Sequence, residues 1–172
     1  MAEAEDTTDR LLLVVDESPG TKRAVNYVAK MIGRRRGFHV CLLYLLPPLP
    51  PELLEFGGAE NPRTEKKLVV ELRRDQQVWI ASAKDSARPM LDDAIKVLRE
   101  AGISRRAIDF ECTDPMDDRG ATVAVLGQAQ AKQCHTIVIG HESHFWFHEL
   151  SGDHLAEHLL RDASEITIWV VQ

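Results

Sequence analysis

Five of the chain's seven histidines fall in one short stretch, "VIGHESHFWFHELSGDHLAEHLL", residues 138–160. They are His141, His144, His148, His154 and His158, with Glu142, Glu149, Asp153 and Glu157 among them. Imidazoles can ligate a metal, move protons or face water, and spacing separates these roles. His144 and His148 are four residues apart, as are His154 and His158, so each pair would share a helix face. A tight metal centre wants a third or fourth ligand and an ordered outer shell. The zinc-protease pattern H-E-x-x-H fails twice: after His141-Glu142 the next histidine comes one residue early, and after His148-Glu149 the needed position is Gly152. No metal ligand set is assigned, and the histidines are read as solvated or interface residues.

Other chemistries leave even less signal. There is no G-x-S-x-G nucleophile turn, no G-x-x-x-x-G-K-[ST] phosphate loop and no G-x-G-x-x-G fingerprint. Nothing assembles a nucleophile, a base and an oxyanion donor, so an enzyme is not expected.

The elements that would position this stretch follow from hydrophobic patterning. "RLLLVVD" (10–16), "FHVCLLYLL" (38–46), "HTIVIG" (135–140) and "ITIWVV" (166–171) are short, continuously apolar runs, as in strands covered on both faces. "AIDFECT" (107–113) alternates and predicts a weaker strand. Between the strands lie helical patterns. Ser18 can cap the first, with Pro19 in its first turn and Gly33 at its end. The second runs from Lys67 to Ala101 through Leu68, Leu72, Trp79, Ala83, Ala87, Met90, Ala94 and Leu98, missing only at Gln76. Pro89 predicts a kink or break within it. A third spans about 118–132 with Val123, Leu126 and Val125 inward. A fourth spans about 153–163 with Leu155, Leu159, Leu160 and Ala163 on one stripe.

The order β-α-β-α-β-α-β-α-β predicts one α/β domain over 10–172, a doubly wound five-stranded parallel sheet with helices on both faces. Residues 1–9 read as an acidic, disordered tail. The segment 47–63, holding five of the eight prolines, reads as an irregular crossover loop, with Leu53, Leu54 and Phe56 as a lid. In such folds ligands sit beyond the carboxyl ends of strands. Here those ends are "DESPG" and "GHESHFW".

A formal charge of −6 argues against nucleic-acid or anionic-membrane partners, which need a basic face. No apolar run approaches the ~18 residues of a membrane span, and no signal peptide is expected. Cys41, Cys112 and Cys134 form no CxxC pair and lie in or beside apolar runs, as buried reduced thiols of a cytoplasmic protein would.

Element order, "VVDES" after strand one, "IVIGHES" at strand four and the closing "LAEHLLRDASEITIWVV" together resemble the universal stress protein family, from about Arg10 to Gln172. The fold implied is the adenine nucleotide alpha hydrolase-like one. The nucleotide-binding branch of that family carries G-x2-G-x9-G-[ST] after strand four. Laid on this chain, Gly140 matches the first glycine, while Ser143, Asp153 and His154 fall on the second glycine, the third glycine and the hydroxyl position. Asp16 matches an acidic residue near the nucleotide, and Val40 a strand-two position near the adenine. "GHESHFW", with Gly140, His141, Phe145 and Trp146, is more similar to the universal stress protein A branch, which lacks the phosphate motif.

The resemblance implies a non-catalytic stress-response or regulatory protein without tight ATP binding and with no obligate cofactor. Alternatives are an adenine-nucleotide (ATP or AMP) binding protein and a metal-responsive protein using the 141–158 histidines. A homodimer is expected through the last strand, because "ITIWVVQ" is an apolar edge without lysine or proline. Ile166, Ile168, Trp169 and Val171 would lie at or near that interface. A further protein partner is expected but not identified.

Overall fold

The computed structural model describes residues 9–54, 61–114, 118–141 and 155–172. Its strands are β1 (Asp9–Val15), β2 (Phe38–Tyr44), β3 (Ile108–Cys112), β4 (Thr136–Gly140) and β5 (Thr167–Val171). All pair in parallel, in the order β3-β2-β1-β4-β5. The doubly wound α/β sheet expected from the sequence is therefore present.

Alternation along each strand divides the core into two layers. Leu11, Leu13 and Val15 of β1 join Val40, Leu42 and Tyr44 of β2 on one face. That face is covered by α1 (Pro19–Ile32) through Ala24, Val25 and Val28, and by α2 (Pro62–Glu100) through Ala87, Leu91, Ala94 and Leu98. Leu12, Val14, Cys41, Leu43, Ile137 and Ile139 form the opposite layer. It is covered by α3 (Asp118–Ala131) through Ala121, Val125 and Ala129, and by α4 (Leu155–Asp162) through Leu159. Continuous apolar runs are what a sheet sealed on both faces requires.

Several boundaries and orientations differ from the sequence reading. Asp9 belongs to β1 rather than to the tail, pairing with Phe38 and donating its N–H to the Gly37 carbonyl at 2.6 Å. The irregular crossover ends before residue 62, because Asn61 caps Arg63 N at 2.9 Å and Pro62 takes the first turn of α2. No break occurs at Pro89; α2 runs through it as one 39-residue helix. Pro89 is exposed, so the carbonyl freed by its missing N–H faces water, while Ala87 and Leu91 are anchored on either side.

Gln76, the gap in the apolar stripe, is half-buried and donates to the Leu53 carbonyl at 2.7 Å. It thereby ties the proline-rich crossover to α2. Leu53 is half-buried, but Leu54 is 58% exposed and does not pack as a lid. Val123 is 71% exposed and Leu160 61% exposed, not inward. On α3 the buried stripe runs through Ala121, Val125 and Ala129, and Val123 lies off that face. On α4 it is Leu159 that enters the core, and the next residue points away.

Candidate functional site

β1 is flanked by β2 on one side and β4 on the other. The carboxyl ends of β1 and β4 therefore lie side by side where the winding reverses, the place at which such folds offer a ligand a crevice. Asp16 follows β1 directly and is buried. Its Oδ1 accepts from Ser18 N at 2.9 Å, from Ser18 Oγ at 2.5 Å and from Thr21 Oγ1 at 2.6 Å. Thr21 Oγ1 in turn accepts from Asp16 N at 2.8 Å. These bonds fix the start of α1, where Ser18 also caps Thr21 N.

The other carboxylate oxygen, Asp16 Oδ2, is buried and finds no hydrogen-bond partner among the described residues. A buried acceptor left this way costs roughly 1–3 kcal/mol. Tyr44, the last residue of β2, is nearby. Burial and then the neighbouring Glu17 and Asp16 charges push its phenol up to about 12.

Gly140 ends β4 and meets the start of α1. A Cβ built there would lie 2.3 Å from the Gly20 carbonyl carbon and 2.4 Å from its oxygen. Glycine is thus required for α1 to close on β4, whether or not a ligand binds. His141 follows, exposed, and its N–H bonds the Val171 carbonyl at 2.7 Å.

So Asp16 and Gly140 are brought together at the sheet's carboxyl end. Val40 is not. It is the third residue of β2, level with Leu11 and Ile108, and fully buried in the core. The residue of that strand that follows its carboxyl end is Leu45, also buried. A sequence match counted along β2 without its register had no means of separating the two. Ser143, Asp153 and His154 lie outside the described residues, as do His144, Phe145, Trp146 and His148. His158 is on α4, where its Nδ1 lies 2.6 Å from an Arg161 guanidinium nitrogen.

At the sheet edge, β5 pairs only with β4 among the described strands. Ile166, Ile168, Trp169 and Val171 are half-buried. Ile166 and Ile168 pack on the α3/α4 layer, and Trp169 and Val171 on the α1/α2 layer. The Trp169 ring meets Tyr27 edge-on, centroids 5.8 Å apart.

A second polar group, absent from the sequence reading, lies on the α3/α4 face in the amino-terminal half of the strands. His39 and Cys41 alternate on β2, and Asp109 of β3 stands directly opposite Cys41. Arg10 of β1 stands opposite His39. His39 Nε2 is 2.8 Å from Asp109 Oδ2. The Arg10 guanidinium is 3.7 Å from Cys41 Sγ and 3.9 Å from Asp109 Oδ2. The neighbouring Cys134 thiol and then Arg10 hold the Cys41 thiol below the usual thiol range against burial. The neighbouring Cys41 pushes the Cys134 thiol up, and burial adds to it.

No family model matches the chain, and no curated protein matches it by sequence. Solved structures do match. One is a hypothetical protein whose biochemical function was assigned from its structure, at TM-score 0.65 and 12% identity over 96% of each chain. A universal stress protein family member from Burkholderia pseudomallei matches at TM-score 0.60 and 15% identity over 98% of each chain. The universal stress protein from Archaeoglobus fulgidus, solved in complex with dAMP, matches at TM-score 0.55 and 16% identity over 96% of this chain and 99% of that one. With the strand order and the two-layered core, these similarities show that the chain has the universal stress protein fold.

Proposed function

We propose that the chain is a non-catalytic stress-response regulator of the universal stress protein family, acting in the cytoplasm as a homodimer. In this reading the Asp16–Gly140 crevice senses an adenine nucleoside or nucleotide weakly. The observation that carries it is the buried Asp16 Oδ2 at the carboxyl end of β1, which has no hydrogen-bond partner among the described residues. An acceptor in that state favours a ligand that brings a donor, such as an exocyclic amine or a ribose hydroxyl. A triphosphate brings only acceptors and negative charge, so the nucleoside half contributes the affinity. Because Oδ2 is buried, a ligand reaches it only after its neighbours shift, which weakens binding further. The Archaeoglobus protein of the same fold binds dAMP, which supports an adenine ligand.

Calorimetry on untagged protein tests this. ATP should bind with a dissociation constant weaker than ~100 μM, and adenosine no more weakly than ATP. Asp16→Asn should cost adenosine binding roughly tenfold or more, since the amide leaves one acceptor fewer. Low-micromolar ATP binding would overturn the weak-ATP reading. Absence of binding by adenosine, AMP and ATP alike would overturn the sensing role.

The dimer rests on β5. Its outer edge is apolar, and pairing with a second copy would cover it. Light scattering at micromolar concentration should give about 39 kDa, twice the chain's 19.3 kDa; a monomer mass would overturn this part. The cytoplasmic assignment is supported by three unpaired cysteines and fits the observation that no described helix is long and apolar enough to cross a membrane.

A further inference from the structure

We propose that His39, Cys41 and Asp109 form a site for a thiophilic divalent cation of the zinc type, remote from the Asp16 crevice, with Arg10 as the cation it displaces. The donor atoms of the three side chains all lie within 4.8 Å of one another. Zinc bonds of ~2.0–2.3 Å in a tetrahedron set ligand atoms about 3.3–3.8 Å apart. The cluster therefore needs a contraction of about an ångström, plus a slight opening of the 2.8 Å His39–Asp109 contact. Nitrogen, sulfur and carboxylate oxygen are the donors zinc takes. Two strands position them: His39 and Cys41 share a face of β2, and register brings Asp109 opposite Cys41. Rigid strands are a better platform for a metal than a loop.

Cys134 supplies the neighbourhood of a fourth ligand. Its thiol, which donates to the Lys132 carbonyl at 3.9 Å, is buried in the same layer as Cys41, and two thiolates on one tetrahedral zinc sit about 3.8 Å apart. A disulfide is a poorer use of this pair. β1 lies between β2, which carries Cys41, and β4, which Cys134 precedes. Strands two apart are about 9–10 Å apart, beyond the ~7 Å that a disulfide spans.

Arg10 is the element that makes the site exchangeable. It places a positive charge beside both Cys41 and Asp109, where a metal would put its own. Its hold is incomplete: Nε is buried without a hydrogen-bond partner among the described residues. Arg10 also lines a cavity of about 710 Å³ with Cys134, His135, Gln130 and Asp162. The guanidinium has room to swing there, toward the Asp162 carboxylate. Metal entry would release the Cys41 thiol proton, and that of Cys134 if it joins, to solvent.

The test is titration of the reduced, untagged full-length protein with cobalt(II), followed by zinc(II). The expected result is a sulfur-to-cobalt charge-transfer band that saturates at one equivalent and is bleached by zinc. The histidine-rich 141–158 segment contains no cysteine, so cobalt bound there gives no such band. Cys41→Ser should abolish the band. Asp109→Asn, half-exposed at 51% and so safe for folding, should weaken cobalt affinity about 10–100-fold. Arg10→Met should tighten it roughly tenfold by removing the competing charge. Absence of a sulfur band in folded protein would overturn the site. So would a band that survives Cys41→Ser, or an Asp109→Asn affinity equal to that of the parent.

Discussion

The two polar clusters of this sheet are built in opposite ways. At the carboxyl end, Asp16, Ser18 and Thr21 close on one another within six residues, and the carboxylate is sealed from water. In the amino-terminal half, His39, Cys41, Asp109 and Arg10 come from three strands, and Asp109 is half-exposed. The first cluster fixes the start of α1 and, among the described residues, leaves one acceptor unused. In the second, the imidazole, thiol and carboxylate each have a partner, and those partners are replaceable. A ligand at the buried loop site would therefore act on the fold, whereas a cation exchanged at the peripheral strand site would leave the fold little changed.

This contrast can be broken most severely at Gly140. A methyl group there meets Gly20 backbone, which has no flexible end to yield. Gly140→Ala should lose about 3 kcal/mol in urea unfolding, at the upper end for overpacking. A loss below about 1 kcal/mol would mean that α1 is not clamped to β4. Alkaline pH probes the same end more gently. The unfolded Tyr44 phenol ionises near pH 10, while the folded one keeps its proton to about 12. Above pH 10 the unfolded state binds fewer protons, so stability should fall by about 2 kcal/mol between pH 10 and 12 and be unaffected by Tyr44 below that. Tyr44→Phe should remove this slope, and an unchanged slope would refute the assignment. The smallest effect belongs to the other cluster. Without metal, Asp109→Asn should change stability by less than about 1 kcal/mol, because its ion pairs are solvent-screened. A larger loss in the same unfolding assay would show that the strand cluster bears on the fold as the loop cluster does.

The two clusters also differ in how far they could be read in advance. The Asp16 loop is local, so "DESPG" announced a cap, a helix start and a carboxylate at a strand end. His39 and Asp109 are 70 residues apart, and only the β2–β3 register joins them. The same limit explains Val40, whose position along its strand cannot be counted from a motif. Strand cores were legible because a sheet covered on both faces leaves continuous apolar runs. Helix faces were less so. Val123 and Leu160 are apolar residues on the outer side of helices whose inner side is set by smaller or single neighbours. Gln76 read as a defect in the stripe because its partner, the Leu53 carbonyl, belongs to an irregular segment.

At 1.5 Å per residue, the 39 residues of α2 reach about 58 Å. Its fully buried residues lie only between Ala87 and Leu98. Ahead of them, among the described residues, Ile80 and Ala83 pack partly on the core and the Gln76 amide ties the helix to the crossover. Such a rod has two lifetimes along one axis. Its amide protons near Leu98 should exchange with solvent only when the whole domain opens, while those before Gln76 should be released by melting of a few turns. The helix is continuous in space and divided in time.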